Sequence, residues 1–176
     1  MWYPPKVTVP PTAEPVTMQE AKRQLNVFHD DDDDLIGGLI AAARDHVEKY
    51  CGALFARQDI EAKATGWTDL ACLPITPVSA VNISYVDTSD AVTPLSNTVY
   101  ELRGNGVVLQ LGQSWPATQA GSLITVIATA GFEACPPAVK HAILLRIDDL
   151  YEHRGSAPDD EWSAFDSLLS NYRFYS

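Results

Sequence analysis

The sequence predicts an α+β fold in which a helical core carries an inserted, mostly antiparallel small β-module. Three observations predict it. Apolar residues recur at helical spacing over the first third of the 176 residues. The period changes to two between Phe55 and Gly131. Helical spacing then returns behind the proline pair Pro136-Pro137. Helices that close over both ends of a β segment point to two N-terminal and two C-terminal helices forming one layer.

Residues 1–16 hold five of the twelve prolines, Pro4, Pro5, Pro10, Pro11 and Pro15. Such a segment is extended and builds no core of its own. It reads as an arm, and Trp2, Tyr3, Pro4 and Pro5 are candidates for laying it over a neighbouring subunit. The first helix is expected from Met18 to about Leu25. Thr17 caps it and Glu20 reaches back, a T-x-x-E capping box, with Val16 and Ala21 as a weak hydrophobic staple. Asp30 to Asp34 place negative charge at the start of a second helix, from about Asp33 to Tyr50, where the helix dipole favours anions. Leu35, Ile36, Leu39, Ile40, Ala43, Val47 and Tyr50 form one stripe for burial, and Gly52 ends the helix. Gly37 and Gly38 inside it cost roughly 1 kcal/mol each relative to alanine, and close approach of another helix would explain them.

In the β-module, Ile60 to Ala64 and Val81 to Tyr85 alternate. Thr98 to Arg103 and Val107 to Leu111 flank Gly104-Asn105-Gly106, a hairpin signal. Leu123 to Thr129 reads as a central strand of a module of four to six short strands. Val139, Ala142, Ile143, Ile147, Leu150 and Tyr151 then form the buried face of a third helix that ends at Arg154-Gly155. Pro158-Asp159-Asp160 starts a short fourth helix through about Leu169. The expected division is therefore a 1–16 arm, a 17–54 helical pair, a 55–131 β-module, 132–169 completing the helical core, and a 170–176 tail. No internal repeat is visible.

Composition narrows the function. Hydrophobic content of 46% with 20% charged residues is ordinary for a globular chain. No apolar run approaches the ~18 residues that span a bilayer, and Met1-Trp2-Tyr3-Pro4-Pro5 has neither the basic nor the apolar region of a secretory signal. A soluble protein made in the cytoplasm, with no membrane partner, is expected. Net charge is −11, from 12 basic and 23 acidic residues. Wrapping DNA requires clustered Lys and Arg, which are missing here. Cys51, Cys72 and Cys135 are odd in number and far apart, so they suit buried free thiols better than a disulfide framework or a metal pair.

Motifs with chemistry fail on spacing. Counted from Asp30, the turn glycine and closing glutamate of a calcium loop fall on Leu35 and Ala41. Asp149 and His153, four apart, can meet on one helix face but make at most half of a metal site. His29, His46 and His141 have no zinc-binding spacing. Gly112-Gln113-Ser114-Trp115-Pro116 has proline where a nucleophile elbow closes with glycine. Gly104-x-Gly106 lacks the third glycine and following helix of a dinucleotide site. The residues thus predict no catalytic group, cofactor or metal. The aromatic end Tyr172-Arg173-Phe174-Tyr175 has too little charge to stack on nucleic acid. It reads as a docking peptide or as a tail folded back on its own domain.

An ordered set of short pieces carries a family resemblance. They are Pro15-Val16-Thr17 through Leu25, the acid run before Leu35-Ile36, Leu39 to Arg44 with Val47, Glu48 and Tyr50-Cys51-Gly52, and Leu73-Pro74 with Pro77-Val78. After Val81 and Tyr85-Val86-Asp87 come Ser114-Trp115-Pro116-Ala117, Ala130-Gly131 before Pro136-Pro137, and Ala138-Val139-Lys140 with Ala142 to Leu145. Tyr151 to Arg154 and Leu168-Leu169 near Tyr172-Arg173 complete the set. Over roughly residues 15–173 the chain resembles the head–tail connector (adaptor) proteins of long-tailed phages, prophages and gene transfer agents. The resemblance implies a structural virion protein at the head–tail interface rather than an enzyme. It implies a ring, usually of twelve copies, beneath the portal protein, which extends the DNA channel and presents a surface to the next head-completion or tail protein. It also points to the C-terminal end, here Tyr172, Arg173, Phe174 and Tyr175, as the portal-docking end. Twelve copies at −11 give roughly −130, and a negative lumen lets DNA slide without sequence-specific binding. The alternatives are a tail-completion or tail-tube protein, also acidic and oligomeric, and a small metal-dependent hydrolase with unrecognised ligands. The helix-first order favours the connector.

Overall fold

In the computed structural model, which describes residues 1–153 and 163–174, the chain divides into two compact units. One joins Met1–Thr12 to Arg57–Gly131; the other joins Ala13–Ala56 to the C-terminal stretch that starts at Phe132.

The second unit is helical. Its first helix, α1 (Met18–Gln24), opens with the capping box that the T-x-x-E spacing predicts: the Glu20 amide donates to Thr17 Oγ1 at 3.3 Å and the Thr17 amide to Glu20 Oε2 at 2.9 Å. Asn26, in the left-handed region at φ 55°, turns the chain after it. Next, α2 (Asp33–Cys51) buries Ile36, Ile40, Ala43, Val47 and Cys51 along one stripe. Leu35 is a correction: it lies at the edge of that stripe and is 40% exposed. Asp32 precedes α2 without a side-chain cap because its carboxylate accepts the Tyr151 hydroxyl at 2.6 Å instead. Gly52 ends α2 in the left-handed region.

Two further helices complete this unit. The Pro136-Pro137 pair opens α3 (Pro137–Glu152), which buries Val139, Ala142, Ile143 and Ile147 against α2. Lys140 Nζ donates to Glu20 Oε1 at 2.6 Å, tying α3 to the start of α1. That ammonium, with the Thr17 donors, holds the Glu20 carboxyl down at about 2. The last helix, α4 (Ser163–Leu169), packs on α3 through Phe165 and Leu169. The expected end of α3 at Arg154-Gly155 and start of α4 at Pro158-Asp159-Asp160 lie outside the described residues.

Among the described residues, no backbone of another helix closes on either glycine of α2. A Cβ on Gly37 would touch only Met18 Cε, at an ordinary 3.7 Å, and one on Gly38 would have nothing within 4 Å. The expected close approach within the chain is corrected accordingly.

The first unit is a β structure. Its five-stranded antiparallel sheet has the order β1-β2-β7-β3-β4, from β1 (Lys6–Val9), β2 (Gln58–Ala64), β3 (Val78–Val86), β4 (Val92–Pro94) and β7 (Ile124–Ala130). The strand read as central from its β-branched residues, β7, is the middle one. Register puts Ile60 and Val81 opposite Ala128, and Ala62 and Ile83 opposite Val126, so one face is apolar and buried. Its other face carries Asp59, Glu61, Lys63, Thr125 and Thr129. A separate hairpin pairs β5 (Tyr100–Arg103) with β6 (Gly106–Leu109). Gly106 is needed there, because a Cβ would stand 2.2 Å from the Ala71 carbonyl oxygen.

Two strands escape the period-two reading. β4 has three residues, one of them proline, at a sheet edge. β1 lies inside the segment read as an arm. Lys6-Val7-Thr8-Val9 alternates between two proline pairs and pairs with the free edge of β2, so residues 1–12 belong to the β unit. No described helix is long and apolar enough to cross a membrane.

Gly38→Ala is expected to raise the unfolding free energy by ~1 kcal/mol, since alanine removes the helix penalty of glycine and meets no neighbour. Urea denaturation followed by circular dichroism checks this.

Candidate functional site

The C-terminal segment, named above for docking, is built onto the end of α2. Phe165 of α4 meets the edge of Tyr50 with ring centroids 5.3 Å apart, and Tyr50 Oη donates to the Asp166 carboxylate. One 3-10 turn, Ser170–Tyr172, follows α4. It swings Tyr172 edge-on to Phe55 at 6.3 Å, and Phe55 in turn stacks on Phe132 at 5.3 Å. The Arg173 guanidinium lies 4.7 Å from the Tyr50 ring centroid, a cation–π contact. The Phe174 amide donates to the Cys51 carbonyl at 2.7 Å, satisfying an acceptor at the C-terminus of α2. Gly52 permits this twice over: its φ is +66°, and a Cβ there would stand 2.6 Å from the Phe174 carbonyl oxygen.

Of the two readings of the tail, these contacts favour the one folded back on its own domain. Tyr172 packs against the helical core and Arg173 is engaged with Tyr50. Phe174, 45% exposed, is the large apolar residue that the segment presents to its surroundings. Tyr175 lies outside the described residues. The cause is the length of α4 with its single turn, which returns the aromatic residues to the α2 terminus; residue types alone do not show that return.

On the same helix lies a buried carboxylate that the sequence reading missed. Glu48 is 7% exposed. Its Oε1 accepts the amides of Phe55 at 2.7 Å and Ala56 at 3.1 Å, and its Oε2 accepts Arg44 Nη1 at 2.8 Å. Arg44 Nε also donates to Glu14 at 2.8 Å. Burial pushes the Glu48 carboxyl up from its ordinary value, while the two amides and the guanidinium oppose that shift. Arg44 at i and Glu48 at i+4 was a visible signal; its burial was not.

The N-terminal candidates also have places in their own chain. Trp2 forms a bridge to Ala64, and its indole donates to the Cys72 carbonyl at 2.9 Å and the Asp69 carbonyl at 3.2 Å. Tyr3, Pro4 and Pro5 remain exposed. Trp2 is therefore used within the β unit, which corrects its assignment to an arm over a neighbour. The Ser114-Trp115-Pro116 loop is held by Trp115 stacked on Trp67 at 4.8 Å and by the Trp67 indole donating to Pro116 O at 3.1 Å. Ser114 is an exposed loop residue. Asp149 is shared by Arg146, at 2.7 Å, and His153, at 3.2 Å. Among the described residues, no three His, Cys, Asp or Glu side chains converge as metal ligands do. Burial raises the thiols of Cys51 and Cys135 to about 11, whereas Cys72 is exposed.

Arg44→Ala is expected to destabilise the fold by ~3 kcal/mol, because it leaves the Glu48 carboxylate buried without its cation. Tyr172→Ala should cost about 2 kcal/mol and Phe174→Ala less than about 1 kcal/mol. Urea midpoints of the three variants check that ordering, which an unattached tail would not produce.

Comparison with known proteins adds three findings. The family described as "Phage gp6-like head-tail connector protein" matches residues 15–107. No curated protein matches the chain. Among solved structures, a chain from the neck of an empty GTA particle, computed with C6 symmetry, superposes with TM-score 0.82 at 20% identity, over 99% of this chain and 97% of that one. A chain from the virion of a native gene transfer agent particle gives TM-score 0.77 at 18% identity, over 96% of each chain. One from the neck of a native GTA particle, computed with C12 symmetry, gives 0.71 at 21% identity, also over 96% of each. At these identities the likeness concerns the fold.

Proposed function

The chain belongs to the phage gp6-like head–tail connector family, and we propose from this that copies of it form a ring, of about twelve by the family resemblance, in the neck of a phage-like particle. The observation that carries the reading is the combination of that family match with a fold that follows neck chains end to end. The role is structural, with no catalytic step. The ring sits against the portal protein, continues the DNA channel and offers its far side to the next head-completion or tail protein.

Charge supports the channel. At −11 per copy, roughly −130 for twelve, the ring repels the phosphate backbone and lets DNA pass without a sequence-specific contact. The portal contact falls to the C-terminal end. Phe174 is held there by its own main chain on Cys51 while its ring stays exposed, which suits an aromatic anchor repeated around a ring. Tyr3, Pro4 and Pro5, exposed at the start of the chain, are the residues for contact between neighbouring copies.

Two measurements test the reading. Particles made without this chain should hold packaged DNA but lack tails, and electron microscopy of complete particles should place a ring of it at the neck. One or two copies per particle would overturn the ring. Phe174→Ala should fold normally and attach to portal-bearing heads about tenfold more weakly. Unchanged attachment would move the portal contact elsewhere.

A further inference from the structure

A second exposed apolar surface lies at the opposite end of α2 from Gly52. An open groove of about 550 Å³ runs along α1, with Met18 and Val27 among the apolar residues that line it. Phe28 stands at its edge with 89% of its surface exposed, more than any other aromatic among the described residues. Nothing in the helical core requires this. Val27 beside it is buried, and the turn at Asn26 would leave a polar residue at position 28 equally well accommodated. A large exposed apolar group beside an apolar groove is the usual mark of an interaction site.

Charge decides what can bind there. Lys22, which lines the groove, is held at 2.7 Å by both Asp30 and Asp33. One ammonium shared by two carboxylates leaves that edge net negative. The side chains of Asp30 and Asp31 are 91% and 94% exposed. Arg23 is the other cation in the lining, which itself holds no acidic residue; the carboxylates stand at its edge, joined to it through Lys22. A second copy meeting this edge with the same edge would set its own aspartates against these, whereas a basic segment is complementary to it.

We propose that the α1 groove and Phe28 dock a basic segment of a different protein, which inserts an apolar side chain beside Phe28 and sets Lys or Arg against Asp30 and Asp31. The mode is that of an amphipathic helix laid in a groove, with apolar anchors giving affinity and charge giving specificity and encounter rate. The surface does not depend on ring formation or on the portal contact at Phe174, so it can be tested on the isolated chain.

The probe is a fluorescent 14-residue Leu/Lys amphipathic peptide, titrated against the full chain by anisotropy, with a Leu/Glu peptide of the same pattern as counterpart. The Leu/Lys peptide should bind and the Leu/Glu peptide should not. Phe28→Ala should weaken binding about tenfold, and the exposure of Phe28 makes that variant safe for folding. Asp30→Asn with Asp31→Asn should weaken it several-fold and flatten its salt dependence. Asp45→Asn, one charge removed elsewhere on α2, should leave it unchanged. The proposal fails if neither peptide binds, if both bind alike, or if Asp45→Asn weakens binding as much as Phe28→Ala. It also fails if Phe28→Ala dissolves a self-associated form in sedimentation without peptide, which would assign the groove to a second copy.

Discussion

The helical unit depends on one buried carboxylate. Glu48 accepts the amides of Phe55 and Ala56 just after α2 has ended, and so fixes the course of the chain where it leaves the helical unit. Through Arg44 the same group reaches Glu14, just after the chain has entered that unit. A charge in this position costs solvation, and it is tolerated because three donors converge on it. Apolar packing could fill the space but could not orient two amides. With Phe55 N–H held, the Phe55 ring is placed for Phe132 and Tyr172, so the seat of the C-terminal segment follows from Glu48.

The two ends of α2 are finished in opposite ways, each suited to the local dipole. At the N-terminus, Asp33 and Asp34 occupy the first turn and face the positive end. At the C-terminus, a left-handed glycine turns the chain, the Phe174 amide satisfies an orphan carbonyl, and Arg173 supplies a cation over Tyr50. The nineteen-residue helix thus separates an acidic end from an aromatic one by about 28 Å, at 1.5 Å per residue.

The β unit handles its edges without any obvious need of a partner. β1 is short, is bounded by Pro4-Pro5 and Pro10-Pro11 and has an irregular register between Val7 and Val9. β4 is three residues long and ends on Pro94. Short, proline-marked edges resist pairing with other chains. That is useful in a protein whose exposed surfaces must be selective.

Local chemistry was legible in the residues. The T-x-x-E box, Gly52, the proline pair and the alternation of β2, β3 and β7 each act within a few positions, so pattern alone determined α1, α2, α3 and the central strands. The ordered family pieces likewise determined the connector assignment. What spacing could not reach depends on pairing across long sequence separations. Lys6–Val9 became a strand because the edge of β2, more than fifty residues later, was open. Tyr172 and Arg173 became part of the helical core because one turn after α4 returned them to Tyr50 and Phe55. Glu48 looked like a surface partner of Arg44 until tertiary structure buried it against the amides of Phe55 and Ala56. Gly37 and Gly38 looked like contact glycines, yet among the described residues only the Met18 side chain of α1 comes near, at an ordinary distance from Gly37. Sequence by itself determined α1, α2, α3, the central strands and the family to which they belong. Tertiary structure decided which polar groups are buried and which aromatic side chains remain outside, because burial is set by chain segments that meet only after folding.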